Sequence, residues 1–152
     1  MSLDVGDEAP DFELQDQERS PVRLSSFRGR KHVVVVFYPL SFTPTCQGEL
    51  CAIRDSIADF DGDDVQTLAI SCDTTAVHKR WAQEQGYRFP LLADFWPHGE
   101  IARAYGVFDE ESGLAQRGTF IVDKQGKVAY KVVNAMKSPR DLDEYRSVLA
   151  GL

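Results

Sequence analysis

The run His32 to Tyr38 (HVVVVFY) is β-branched and aromatic almost throughout, with none of the apolar and polar alternation of a strand that shows one face to water. It reads as a strand buried on both faces, the central strand of a covered sheet. From Thr45 to Asp61 the apolar residues Leu50, Ile53, Ile57 and Phe60 recur at steps of three, four and three, the period of a helix that lays one side on a sheet. One helical turn before Leu50, the same side carries Cys46.

The rest of the chain continues the alternation. After an extended N-terminal segment and a short strand at Val22 to Leu24, a strand over Gln66 to Cys72 leads into a helix from about Thr75 to Gln85. That helix has Thr74 or Thr75 as N-cap, Trp81 on its core side and Gly86 in the stop position. Phe89 to Ala93 is a further short strand, Glu100 to Tyr105 a short helix, and Glu111-Ser112-Gly113 a turn into a strand over Thr119 to Val122. The turn Lys124-Gln125-Gly126 makes a hairpin with Lys127 to Val133. Ser138-Pro139, an N-cap followed by proline at the first helical position, opens a closing helix to about Leu149. Early βαβ units followed by a hairpin and a helix describe an α/β fold, a central mixed β-sheet with helices on both faces in a thioredoxin-like arrangement. No repeat, low-complexity tract or linker interrupts it, so residues 1–152 are expected to form a single domain.

With 17 basic and 24 acidic residues the net charge is −7, which repels nucleic acid and anionic membranes. No apolar stretch approaches the ~18 residues of a transmembrane helix, and Asp4, Asp7 and Glu8 are unlike the basic start of a signal peptide. The expectation is a soluble, cytoplasmic protein with no nucleic-acid or membrane partner. Three cysteines in a chain with ample core-forming residues fit a reducing compartment and chemistry on sulfur better than a disulfide scaffold. No Cys-x-x-Cys occurs, and His32, His78 and His98 share no ligand spacing with the cysteines, so neither a metal nor another cofactor is expected. His98, in Trp96-Pro97-His98, reads as a cap of the following helix.

The segment Phe37 to Cys46 (FYPLSFTPTC) runs from the buried strand into the helix. With Thr43 as N-cap, Pro44 falls at N1, where a missing N–H is harmless, and Cys46 falls at N3, where a capping-box carboxylate normally reaches back. A thiolate takes that anionic place. Free amide donors and the positive end of the helix dipole then lower the cysteine pKa below its usual ~8.5. The competing reading is that Cys46 is a small buried residue continuing the Leu50, Ile53, Ile57, Phe60 stripe.

Pro39, Thr43 and Cys46 match the Pro-x-x-x-Thr-x-x-Cys signature of peroxiredoxins, and Arg117 in Arg117-Gly118-Thr119-Phe120 matches the distant arginine of that family's active site. The segments Gly6 to Phe12, Cys46 to Leu50 and Phe89 to Gly99 resemble the alkyl hydroperoxide reductase E (one-cysteine) subgroup. The resemblance covers nearly the whole chain. It implies a thioredoxin-like fold, an antioxidant thiol-dependent peroxidase acting on hydrogen peroxide and organic hydroperoxides, a sulfenic acid at Cys46, and a homodimer. It also implies a thiol reductant, either a thioredoxin-like or glutaredoxin-like protein or a low-molecular-weight thiol. The catalytic set it implies is Cys46, Thr43, Arg117 and Pro39.

The chemistry accounts for each of these residues. A thiolate attacking R-O-O-H pushes charge onto the departing oxygen, so donors must face both oxygens. The planar fork of Arg117 serves the thiolate and the peroxide together. The Thr43 hydroxyl orients the peroxide, and Pro39, without an N–H, walls the pocket from water. Glu49, one turn past Cys46, resembles a family position that orients the arginine, or else is an ordinary exposed helix carboxylate. Arg117, taken alone, would be a solvent-facing strand residue.

Cys51 departs from the one-cysteine pattern, since related bacterioferritin-comigratory peroxiredoxins often carry a resolving cysteine there. It is either that resolving cysteine or a half-buried packing residue. Five residues on an intact helix hold two α-carbons about 9 Å apart, beyond the ~7 Å limit for a disulfide, so a 46–51 bond requires local unwinding, which Gly48 would ease. Cys72 reads as a buried inert thiol or as a residue near the pocket. Two other functions compete: a thioredoxin-type oxidoreductase, disfavoured by the missing Cys-x-x-Cys, and a redox-sensing or chaperone-like binding protein.

Overall fold

The computed structural model describes residues 3–134 and 140–152, with Thr45 and Cys46 as backbone only. Glu13–Gln15 (β1) and Pro21–Arg23 (β2) pair as a small antiparallel hairpin, and a 3-10 turn over Leu24–Phe27 leads to β3 (His32–Phe37). Then follow α1 (Pro44–Asp55), α2 (Ile57–Phe60), β4 (Val65–Ser71), α3 (Thr75–Gln85), β5 (Leu91–Ala93) and α4 (Glu100–Ala104). A second small hairpin joins β6 (Phe108–Asp109) to β7 (Leu114–Ala115). A larger one joins β8 (Arg117–Val122) to β9 (Val128–Asn134), and α5 (Leu142–Ala150) closes the chain.

The central sheet has the order β5-β4-β3-β8-β9, with β3, β4 and β5 parallel and β8 antiparallel to both β3 and β9. The unbroken valine run is explained by two cores, one on each face. Val33, Val35 and Phe37 pack with Phe12, Tyr105 and Phe120, whereas Val34, Val36 and Tyr38 pack with Leu50, Ile53, Phe60, Trp81 and Tyr145. One face is therefore covered by α1, α2, α3 and α5, and the other by α4, the 3-10 turn and the N-terminal segment. Val34, Val35 and Val36 are fully buried, each worth roughly 1.5–3 kcal/mol in removed apolar surface.

Most elements lie where the periodicity places them, within a residue or two. Thr74 is the N-cap of α3, accepting the Val77 N–H at 3.3 Å, and Gly86 ends that helix at φ 71°, a left-handed conformation that suits glycine. Three expectations are corrected. The single helix over Thr45 to Asp61 is divided at Ser56 (φ −112°), whose N–H is shared between the carbonyls of Ala52 and Ile53 and whose hydroxyl accepts from Arg146 at 2.8 Å. The closing helix begins at Leu142, with the Asp141 side chain accepting the Glu144 N–H; Ser138 and Pro139 lie outside the described residues.

His98 does not cap α4. The Asp94 carboxylate takes the amides of Ile101 (3.1 Å) and Ala102 (2.9 Å), while the His98 ring bonds the carbonyls of Gly113 (2.7 Å) and Phe95 (3.2 Å). Strands β1, β6 and β7 are two or three residues long, too short for any periodicity to register.

This topology brings together the C-terminal ends of β3, β4 and β5 and the N-terminal end of antiparallel β8 on one sheet edge. In α/β sheets that edge is where ligands bind. Among the described residues no helix is long and apolar enough to cross a membrane.

Candidate active site

The loop from β3 to α1 carries the first half of the site. Pro39 is buried directly after Tyr38, and Phe42 takes φ 65°, a left-handed conformation uncommon for a side chain of its size. Local bonds hold this bend: the Thr43 hydroxyl donates to the Leu40 carbonyl (2.7 Å), and the Ser41 N–H (2.9 Å) and hydroxyl (2.7 Å) both donate to Asp73 Oδ2 at the end of β4. The Phe42 ring rests 5.8 Å from the Trp81 ring. Thr43 stands at the N-cap with extended backbone, Pro44 at N1, and Cys46 therefore at N3. The Thr43 hydroxyl, engaged with Leu40, does not cap the helix.

The second half comes from β8. Val36 pairs with Thr119, so Arg117 stands level with Tyr38 at the start of its strand. Arg117 is buried and ion-paired to Glu49. The solvent-facing readings of Arg117 and Glu49 are thus corrected, because Glu49, one turn past Cys46, is only 7% exposed. Its second oxygen lies 2.9 Å from Arg140 Nε. Arg140 also donates to the Thr119 hydroxyl (2.7 Å), the Gly118 carbonyl (3.3 Å) and the Phe37 carbonyl, and the Thr119 hydroxyl meets the Tyr145 hydroxyl at 2.9 Å.

Arg140 is the site residue that the sequence reading missed. It follows Ser138-Pro139, where it reads as a first-turn helix residue, and a cation buried by contacts with β3, β8 and α1 leaves no periodic trace. Two buried guanidinium groups thus meet at the Glu49 carboxylate, and positive charge in a poorly hydrated place favours an anion nearby.

The other two cysteines are placed differently. Cys51, on the same continuous α1 as Cys46, sets its Sγ 3.3 Å from the Tyr87 hydroxyl and 3.5 Å from Gln85 Oε1. Burial, followed by that contact with Cys51, pushes the Tyr87 hydroxyl well above its ordinary pKa. Cys72 is buried at the end of β4, where desolvation and then the charges of Asp94 and Asp73 push its thiol up to about 12. Cys51 and Cys72 are both free. Among the described residues no group of three or more His, Cys, Asp or Glu side chains could hold a metal ion.

Residues 5–131 match the AhpC/TSA family, a span that includes Pro39, Thr43, Cys46 and Arg117. The chain belongs to that family. As a member of the AhpC/TSA family it is 47% identical to alkyl hydroperoxide reductase E of Mycobacterium tuberculosis, over 99% of this chain and 98% of the relative. It is 34% identical to the chloroplastic 2-Cys peroxiredoxin BAS1 of Spinacia oleracea, over 97% of this chain and 59% of the relative. Among solved structures it resembles peroxidoxin BcpB of Mycobacterium tuberculosis, with TM-score 0.86 and 31% identity over 99% and 98% of the two chains. It also resembles Enterococcus faecalis AhpC, with TM-score 0.87 and 32% identity over 99% and 92%. AhpC/TSA membership makes the protein a peroxiredoxin on a thioredoxin-like fold, a thiol-dependent peroxidase of antioxidant defence.

Proposed function

We propose that Cys46 is the peroxidatic nucleophile and that the enzyme works by a one-cysteine cycle. The Cys46 thiolate attacks the near oxygen of a hydroperoxide, the S–O bond forms as the O–O bond breaks, and the departing alkoxide or hydroxide leaves with a proton as alcohol or water. An external thiol then displaces water from the sulfenic acid, and a second thiol releases Cys46 as thiol and the pair as a disulfide. The observation that carries this reading is the buried Arg117–Glu49–Arg140 cluster one turn from helix position N3, with the positive charge of its two guanidinium groups. That charge and the helix dipole both favour a thiolate at Cys46.

The other roles follow from the loop. With its proton given to the Leu40 carbonyl, the Thr43 hydroxyl keeps lone pairs to accept from the peroxide O–H. Arg117 stabilises the charge that develops on the departing oxygen, Glu49 orients Arg117, and Pro39 excludes water. Cys51, engaged by Tyr87 and Gln85 toward α3, is a packing thiol in this cycle rather than a resolving one. Free thiols at Cys51 and Cys72 fit a reducing, cytoplasmic compartment. The exposed Leu40, Phe42, Phe95 and Trp96, all at the site edge, fit the interface of a homodimer.

A non-reducing mass spectrum after one equivalent of peroxide tests the assignment. The expected product is heavier by one oxygen and is absent from Cys46→Ser, which should also lack peroxidase turnover. A 46–51 disulfide would replace the one-cysteine cycle with a two-cysteine one, and oxidation that survives in Cys46→Ser would remove Cys46 from its role.

A further inference from the structure

We propose that Asp73 is a positioning residue for the peroxide step, fixing the Pro39 to Thr43 loop through its bonds to Ser41. Asp73 follows β4, not the loop or α1, and is remote in sequence from every residue assigned above. One carboxylate oxygen, Oδ2, gathers three donors: the Ser41 N–H (2.9 Å), the Ser41 hydroxyl (2.7 Å) and the Ser71 hydroxyl (2.7 Å).

The protons of this network can be counted. Ser41 gives its single hydroxyl proton to Asp73 and so accepts from the Tyr38 hydroxyl, 3.1 Å away. Ser71 likewise gives its proton to Asp73 and accepts from the Asp73 N–H (3.3 Å) and from His78 Nε2 (2.7 Å). Burial lowers the His78 pKa to about 4, so the ring is neutral and donates from one nitrogen only; with the Ser71 proton on Asp73, that nitrogen is Nε2. Each bond in the chain Tyr38–Ser41–Asp73–Ser71–His78 thus has a defined direction; Ser41, Ser71 and His78 are buried, and the His78 Nδ1 is left without a hydrogen bond among the described residues. Buried hydrogen-bond networks of this kind hold their members in fixed positions.

The anchor meets the chain next to Phe42, the residue held at φ 65°. Backbone strain of this kind is costly and persists only where neighbours over-determine it. Without the carboxylate, the Ser41 N–H and hydroxyl lose their acceptor, the bend at Phe42 relaxes, and the Thr43 hydroxyl moves from its place. The hydrogen bonds that the Asp73 carboxylate accepts come from Ser41 and Ser71, on the loop and on β4, whereas Glu49 is held by Arg117 and Arg140. The charge that favours the Cys46 thiolate therefore stays while the alignment of the peroxide is lost, and a misplacement of about 1 Å costs on the order of 100-fold in rate.

This inference rests on the roles proposed above for Cys46 and Thr43, and two electrophiles separate it from a general loss of structure. In Asp73→Ala the second-order rate of Cys46 oxidation by hydrogen peroxide should fall by about tenfold or more. Alkylation of Cys46 by iodoacetamide, which needs the thiolate but no peroxide alignment, should change by less than about threefold, under 0.7 kcal/mol. Asp73→Asn, which keeps an acceptor for Ser41, should recover most of the lost rate. Should Asp73→Ala fail to fold, Ser41→Ala removes one anchoring bond and should show the same selective loss, smaller in size. Peroxide oxidation within about threefold of wild type, or an equal fall in both reactions, would overturn the proposal. Wild-type protein oxidised no faster than free cysteine would instead overturn the assignment of Cys46.

Discussion

Glu49 sits between the guanidinium groups of Arg117 and Arg140 with almost no water to share the charge. Removing one partner from a buried ion cluster typically costs about 3–5 kcal/mol, because the remaining charges stay desolvated. Glu49→Gln should lower the free energy of unfolding by about that amount in urea titration, and a loss below about 1 kcal/mol would show the cluster to be hydrated. Arg117→Lys tests the cation itself. A point ammonium cannot serve two oxygens, so the rate of Cys46 oxidation should drop by more than about threefold, a smaller change contradicting the role.

His78 gives a pH signature. Its pKa is near 6.5 in an unfolded chain and about 4 when buried, so between these values the unfolded state binds more protons. The contribution is therefore complete above pH 6.5 and is lost as the pH falls toward about 4, amounting to the order of 3 kcal/mol. His78→Gln, which retains a side-chain N–H donor, should flatten the slope of stability against pH in that window relative to wild type. Identical slopes would show that other groups carry it.

At the scale of elements, α1 holds both halves of the argument about Cys51. Its capping geometry matches the spacing of Thr43, Pro44 and Cys46, and its inner side buries Leu50 and Ile53. Any 46–51 disulfide needs the first turns to open, and Gly48 lies within them on the exposed side, with nothing within 4 Å of the place a Cβ would take. Gly48→Ala should stabilise the helix by about 1 kcal/mol and slow exchange of the α1 amides after Gly48 by about fivefold. Unchanged exchange would mean that these amides open with a larger unit. If a disulfide forms at all, its formation should slow by the same factor while the peroxide step keeps its rate.

For the whole molecule, the sheet edge that gathers the site also leaves Leu40, Phe42, Phe95 and Trp96 exposed, with Trp96 81% open to solvent. Two of these follow β3 and two follow β5, parallel strands that end at the same edge of one sheet with β4 between them. A homodimer across this face predicts that Trp96→Glu shifts sedimentation at micromolar concentration toward the monomer and leaves the unfolding transition of each subunit intact. A wild-type protein that sediments as a monomer under the same conditions would refute the interface.

The amino-acid sequence by itself determined the local and periodic features. The valine run made a central strand, the spacing of Leu50, Ile53, Ile57 and Phe60 gave α1 and α2 their buried side, and the Thr43-Pro44 pair put Cys46 at N3. Each of these follows from covalent geometry and solvent exclusion acting over a few residues. At the Ser56 division of the long helix, Arg146 arrives from α5 to bond the serine hydroxyl, whereas α4 and α5 are capped by the nearby side chains of Asp94 and Asp141, local choices that periodicity does not register. The motif pointed to Arg117, but its burial against Glu49, and the arrival of Arg140 on the same carboxylate, required β8, α1 and the segment before α5 to meet at one edge. Asp73 likewise gains its meaning only through β4 lying beside β3. Charges buried between distant segments are decided by tertiary structure, because the pairing that makes their burial tolerable does not exist until the fold does.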